Sequence, residues 1–224
     1  MQILIHSSNL KEILQCYETG LVDGIDYPYA IYTDSDIDCL YGMYDAIEGI
    51  DVDREVHIPL GGTVEQMTER ADKILSTHGY SAVLKIPVNR DNLKLASDLA
   101  HRHYRINVTH VYNPAQAVMV AKSGVDNVTV SVGAIDDFGY AGLEVLRGVA
   151  GMCSAQKVDT TVVANDLRTT HRASRAIYNG ASTIVLEPKV FWEMYRHPLS
   201  HTNSGWASPV VETYVDDELS DLFQ

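Results

Sequence analysis

Long apolar runs are missing from this 224-residue chain. Nothing approaches the ~18 consecutive apolar residues of a membrane span, so no membrane partner is expected. Cysteine is scarce: Cys16, Cys39 and Cys153 are odd in number and far apart. They frame neither a disulfide scaffold nor a thiolate metal centre, and a reducing cytoplasm is the expected compartment. Basic residues are in short supply, 17 Lys and Arg against 30 Asp and Glu, for a net charge of −13. That balance excludes a nucleic-acid-binding face, which needs a basic surface, although a local basic pocket stays possible. The histidines, His101, His103, His110, His171, His197 and His201 among them, have no ligand spacing. Neither a metal nor any other cofactor is expected. Also absent is the G-x-G-x-x-G turn with which an open doubly wound sheet usually advertises itself; the first apolar run ends in "HSSN". The N-terminus, "MQILIHSSNLKEI", lacks the basic and long apolar regions of a secretion signal and reads as a first strand.

What is present is alternation. Short apolar runs ("QILI", "LVDGI", "REVHIPL", "SAVLKIPV", "YRINVTHV", "VDNVTVSV", "DTTVVAND", "ASTIVLE") are separated by segments with helical periodicity. In "TVEQMTERADKILSTHG", Val64, Met67, Ala71, Ile74 and Leu75 share one face, and Thr63 with Gln66 forms a capping box. Asn89 and the pair Asn113-Pro114 are further helix starts. Eight strand–helix units with crossover helices predict a parallel sheet closed into a (β/α)8 barrel. The barrel is expected over 1–202. A last helix is expected over 203–224, where Trp206, Val210, Val211, Tyr214, Leu219 and Phe223 give it an apolar face.

Chemistry in such a barrel sits at the C-terminal ends of the strands. Those ends carry His6, Asp26 or Tyr27, His57, Lys85, Thr109 with His110, Ser131, Asn165 with Asp166, and Glu187. Lys85 stands out, because it interrupts the apolar run "YSAVLKIPVN". Burying an ammonium is costly unless it pairs or deprotonates. Read from residue type alone, Lys85 is either half of a buried ion pair or an amine whose lowered pKa lets it attack a carbonyl and form an imine.

The sequence "VLKIPVNRDNLKLASDLAHRHYRINVTHVYNPAQAVMVAKSGVDNV" resembles the core of the small transaldolases and fructose-6-phosphate aldolases. A strand ends in Lys85-Ile86-Pro87, a helix follows, and the next strand ends in Thr109 before Tyr112 and Gln116. The resemblance is strongest from Ser81 to Asp136. It implies a (β/α)8 barrel and makes Lys85 the Schiff-base lysine. It implies a class I aldolase that makes or breaks a carbon–carbon bond of a ketose or dihydroxyacetone-type donor with an aldehyde acceptor. It also implies a homo-oligomeric ring, a pentamer or decamer, in which the helix over 203–224 packs on a neighbouring subunit, and a sugar or sugar-phosphate-like substrate.

Departures from the pattern are concentrated around the lysine. His6 stands where the family's first strand ends in aspartate, and an imidazole also does acid–base work near neutral pH. Tyr27 replaces a site asparagine. Ile58 falls on the position of a water-holding glutamine, with His57 expected to face outward. Ser131 replaces a tyrosine, Ala134 a phosphate-binding arginine, and the phosphate element of the seventh strand reads Asp166-Leu167-Arg168. Tyr140, at the start of a helix near the barrel mouth, is a conceivable substitute for the missing tyrosine. The site is therefore expected to comprise Lys85, His6 and Thr109 as catalytic groups, with Tyr27, Ser131, Asp166 and Arg168 contacting substrate. The exchanges leave a second reading open: a barrel that has lost turnover and serves as an assembly or binding protein.

Overall fold

A computed structural model describes residues 1–28, 55–78, 82–197 and 199–200. The eight strands are β1 (Gln2–His6), β2 (Gly24–Asp26), β3 (Glu55–Pro59), β4 (Ala82–Pro87), β5 (Arg105–Val111), β6 (Asn127–Ser131), β7 (Thr161–Asn165) and β8 (Thr183–Leu186). All neighbours pair in parallel, and β1 pairs with β8, so the sheet closes into a barrel in chain order. The described helices are α1 (Leu10–Tyr17), α2 (Val64–His78), α3 (Arg90–His101), α4 (Pro114–Lys122), α5 (Val132–Asp137), α6 (Gly142–Gln156), α7 (Thr170–Tyr178) and α8 (Pro188–Glu193). This is the expected (β/α)8 architecture, with one addition: α5 is a short helix inserted between β6 and the crossover helix α6. Both the segment "DIDCLYGMYDAIEG" and the helix expected over 203–224 lie outside the described residues. The chain divides into a compact unit Met1–Phe191, which holds the barrel, and a second unit Trp192–Gln224. No described helix is long and apolar enough to cross a membrane.

The helices begin where their caps dictate. Asn89 Oδ1 accepts the Asn92 amide at 2.8 Å and Asn113 Oδ1 the Gln116 amide at 2.9 Å. Thr63 and Gln66 exchange both bonds of a capping box at the start of α2. Each cap satisfies amides that the first helical turn leaves without a partner.

Register decides which side chains enter the barrel, because paired residues on neighbouring parallel strands face the same side. Lys85 pairs with Pro59 and Asn107, Asn107 with Asn127, His57 with Asp26 and Val83, and Asp26 with His6. All of these face inward. His57 is thus inside the barrel, contrary to the expectation that Ile58 would hold the inner position. The reason is the pairing of His57 with Asp26 on one side and Val83 on the other, which sets the odd-numbered residues of that strand inward. Asn107 Nδ2 donates to His57 Nδ1 at 3.0 Å, Thr129 Oγ1 donates to Asn107 Oδ1 at 2.7 Å, and Glu55 joins His57 to Arg105. One part of the interior is therefore a polar chain, and another, formed by Leu4, Val163 and Val185, is apolar. Gly24 makes this closure possible at β2: a Cβ there would lie 2.4 Å from the Glu55 carbonyl oxygen.

Candidate active site

Lys85 is 2% exposed and Asp26 equally so. The Lys85 ammonium lies 2.8 Å from Asp26 Oδ1 and 2.9 Å from Oδ2, and donates to the Tyr27 carbonyl oxygen at 2.6 Å. His6 Nδ1 meets Asp26 Oδ2 at 2.7 Å. Three strand ends thus converge: His6 from β1, Asp26 from β2 and Lys85 from β4. Burial alone would raise the Asp26 pKa, but the Lys85 charge and the His6 hydrogen bond outweigh it and hold the carboxyl at about 2. For Lys85 the balance runs the other way. Loss of hydration pulls its pKa below the ordinary lysine value, and the Asp26 carboxylate only partly restores it. A buried carboxylate therefore faces a buried amine whose proton is held less tightly than on a surface lysine.

His6 takes the place of the first-strand aspartate, but the site does not lack a carboxylate. The barrel supplies one from the next strand instead. Tyr27 was expected to contact substrate; it follows the inward-facing Asp26, its side chain is fully buried, and its carbonyl meets Lys85. The alternation signal that separates Asp26 from Tyr27 was present in "LVDGIDYP", but a strand of three residues is too short to phase without its neighbours.

Thr109 is buried, pairs with Pro87, and faces inward above Asn107. Beyond it β5 contains a bulge. Val108 pairs with Val128 and Val111 with Val130, three steps on one strand against two on the other. His110, adjoining Thr109 within this irregular step, adopts φ +58°, a region uncommon for residues other than glycine. In an unbroken strand the Thr109 and His110 side chains would point to opposite faces. Here His110 Nδ1 lies 3.1 Å from Thr109 Oγ1, so both reach the mouth side. Burial, with the Lys85 charge, lowers the His110 pKa and favours the neutral imidazole. His110 also packs edge-on to Tyr112, ring centres 6.3 Å apart.

The remaining expected residues lie on the far rim. Ser131 is buried at the end of β6 and pairs with Asn165. Asp166 and Arg168 follow β7. Arg168 Nε and Nη2 donate to Asp166 Oδ1 and Oδ2 at 2.7 and 2.8 Å. Arg168 Nη1 and Nη2 donate to Asp137 Oδ1 and Oδ2 at 2.8 and 2.7 Å. Tyr140 is exposed. Among the described residues, no cluster of His, Cys, Asp and Glu is arranged to hold a metal ion.

A closed parallel barrel with a buried lysine at the end of its fourth strand defines the class: a (β/α)8 protein whose mouth is built around an amine. Residues 9–221 match the family model described as Transaldolase/Fructose-6-phosphate aldolase, and the chain belongs to that family. It is 28% identical over 216 residues to a protein of Caulobacter vibrioides named probable transaldolase, covering 93% of this chain and 97% of the relative. Proteins of the same name from Symbiobacterium thermophilum (26% identity, 97% and 96% coverage) and Bartonella bacilliformis (28%, 97% and 96%) are similar over nearly their full lengths.

Proposed function

We propose that the protein is a class I aldolase of the transaldolase type, working through an imine on Lys85. The observation that carries this reading is the Lys85 amine, buried at a strand end and held between the Asp26 carboxylate and the Tyr27 carbonyl. Neutral Lys85 attacks the carbonyl of a ketose or dihydroxyacetone-type donor, and loss of water leaves a protonated imine. A base removes the proton from the hydroxyl two carbons from the imine carbon. The bond from that hydroxyl-bearing carbon to the carbon adjoining the imine carbon breaks, its electron pair flows into the imine to form an enamine, and the hydroxyl-bearing carbon leaves as an aldehyde. The enamine then adds to an acceptor aldehyde, or is protonated and the imine hydrolysed.

Asp26 and His6 together form the proton-transfer pair beside the nitrogen. Thr109 anchors a water or substrate hydroxyl. His110 is the base for the substrate hydroxyl, since its imidazole is neutral and shares the Thr109 side of the mouth. Ser131 contacts substrate on the opposite strand. The intact Lys85–Asp26 pair supports an enzyme over a barrel that has lost turnover. The buried, free thiols of Cys16 and Cys153 support a reducing cytoplasm, and residues 203–224 are proposed to join subunits of a homo-oligomer.

Borohydride trapping with dihydroxyacetone or fructose, followed by peptide mapping, tests the mechanism. A reduced adduct on Lys85, absent from Lys85→Met, is expected. No adduct with any ketose would sink the reading.

A further inference from the structure

We infer that the rim formed by the ends of β6 and β7 rejects phosphate, so that the substrate end reaching it is an uncharged polyhydroxy aldehyde or ketose. The inference rests on the aldolase reading for the identity of the substrate, but its physical basis is independent of that reading.

A guanidinium offers five N–H donors in a planar fork, and a phosphate is bound by two of them side by side. Both paired edges of Arg168 are taken by a carboxylate. Asp166 occupies the Nε/Nη2 edge and Asp137 the Nη1/Nη2 edge, with all four contacts between 2.7 and 2.8 Å. One cation between two anions leaves the cluster with a net charge of −1. Two further cations of the mouth are themselves neutralised by carboxylates: Arg172 is paired with Asp136, and Lys85 with Asp26. A phosphate dianion would have to displace a carboxylate from Arg168 and remain beside it.

The backbone is built to keep this arrangement. Asp166 has φ +58°, and its amide is held by Asn165 Oδ1 at 2.6 Å. Its carboxylate fills the space over Gly133, where a Cβ would lie 2.4 Å from Oδ2. Non-glycine residues at such φ values persist where the surroundings hold them there, commonly in active sites. Burial raises the pKa of Tyr112, which follows β5, and the Asp166 charge adds to the rise, so the negative field extends beyond its own rim. Carboxylates whose oxygens face a mouth accept hydrogen bonds from substrate hydroxyls, which suits a neutral polyol.

Two measurements test this. In the first, dihydroxyacetone is the donor, and glyceraldehyde is compared with glyceraldehyde 3-phosphate as acceptor. Glyceraldehyde is expected to have at least a tenfold higher kcat/KM. Asp137→Asn with Asp166→Asn opens Arg168 and should move the ratio at least tenfold toward the phosphorylated acceptor; Asp137→Asn alone, at an exposed position, should move it part of the way and is the variant to use if the double one does not fold. The second is phosphorus NMR titration of inorganic phosphate and glyceraldehyde 3-phosphate against the full chain, without turnover. No binding is expected for the natural sequence, and binding that depends on Arg168 for the opened variants. Phosphate binding to the natural protein that disappears in Arg168→Ala, or a preference for the phosphorylated acceptor, would overturn the proposal. Failure of Lys85 trapping overturns the aldolase reading instead, and the titration still decides on the rim.

Discussion

Asp26 controls what Lys85 can do, and the coupling between them has a measurable acid signature. The folded state lowers the Asp26 pKa from 3.8 to about 2. The unfolded chain therefore binds a proton at a higher pH than the folded one. The stabilisation is complete above pH 3.8 and is lost as pH falls through about 2. A lowering of this size corresponds to about 2–3 kcal/mol. Glu55, lowered from 4.5 to about 2 by His57 and Arg105 against the effect of burial, adds to the same acid limb. Thermal midpoints between pH 1.5 and 6 should fall steeply at the acid end, and Asp26→Asn should flatten that limb. Asp26→Asn should also destabilise the protein at pH 7 by about 3–5 kcal/mol, because it strands a buried cation. A flat acid limb in the natural protein would refute the pairing.

At the same scale, His110→Ala should lower kcat by ~10²–10⁴, the usual contribution of a positioned base. The acid limb of the natural protein's kcat/KM profile should lie below the ordinary histidine range, because burial and Lys85 disfavour the imidazolium. Among the described residues, Lys85, Thr109 and Tyr112 face it. A variant that retains both full kcat and the acid limb would remove His110 from the mechanism. Lys85 was legible in the sequence because a charged residue inside an apolar run violates a strong rule. Asp26 was less so, since an aspartate in a short strand before Tyr-Pro looks like turn chemistry. The inward face of His57 was misread because alternation gives two phases, and only pairing with Asp26 and Val83 selects one.

Elements position these residues through their ends. The caps at Thr63, Asn89 and Asn113 were readable as local signals and form as such. Asn113→Ala should cost about 1 kcal/mol in chemical denaturation, since it strips the cap from α4 without touching the barrel interior. The bulge in β5 had no local signal, because neither Thr109 nor His110 is a residue that demands positive φ. Its origin is tertiary: the strand keeps pace with β4 on one side and β6 on the other, and one extra residue reconciles them. Gly133→Ala tests the β6–β7 junction, because the added Cβ collides with the Asp166 carboxylate. Its expected effect is a loss of stability together with weakened phosphate rejection. Stability loss with unchanged acceptor preference would separate the glycine from the rim.

At the scale of the whole molecule, closure between β1 and β8 brings residues 181 positions apart into contact, as in the hydrogen bond from Thr183 Oγ1 to Gln2 Oε1. The apolar trio Leu4, Val163 and Val185 draws on β1, β7 and β8, and plugs the barrel near that seam. Leu4→Ala should destabilise by about 2–5 kcal/mol in denaturant melts, the range for a fully buried leucine. A much smaller loss would mean that the seam collapses to fill the space.

Alternating runs of apolar and amphipathic character were enough to determine eight strands, the crossover helices among the described residues and hence a parallel barrel. Chain order then determined which strand ends share the mouth. These are local or one-dimensional properties, set by side-chain periodicity and by the length of each crossover. What only the tertiary structure decided is how the charges are shared: Asp26 with Lys85 and His6, and Arg168 with both Asp137 and Asp166. The physical reason is that an ion pair depends on burial and on angstrom-scale separation between distant residues, and neither quantity is written along the chain.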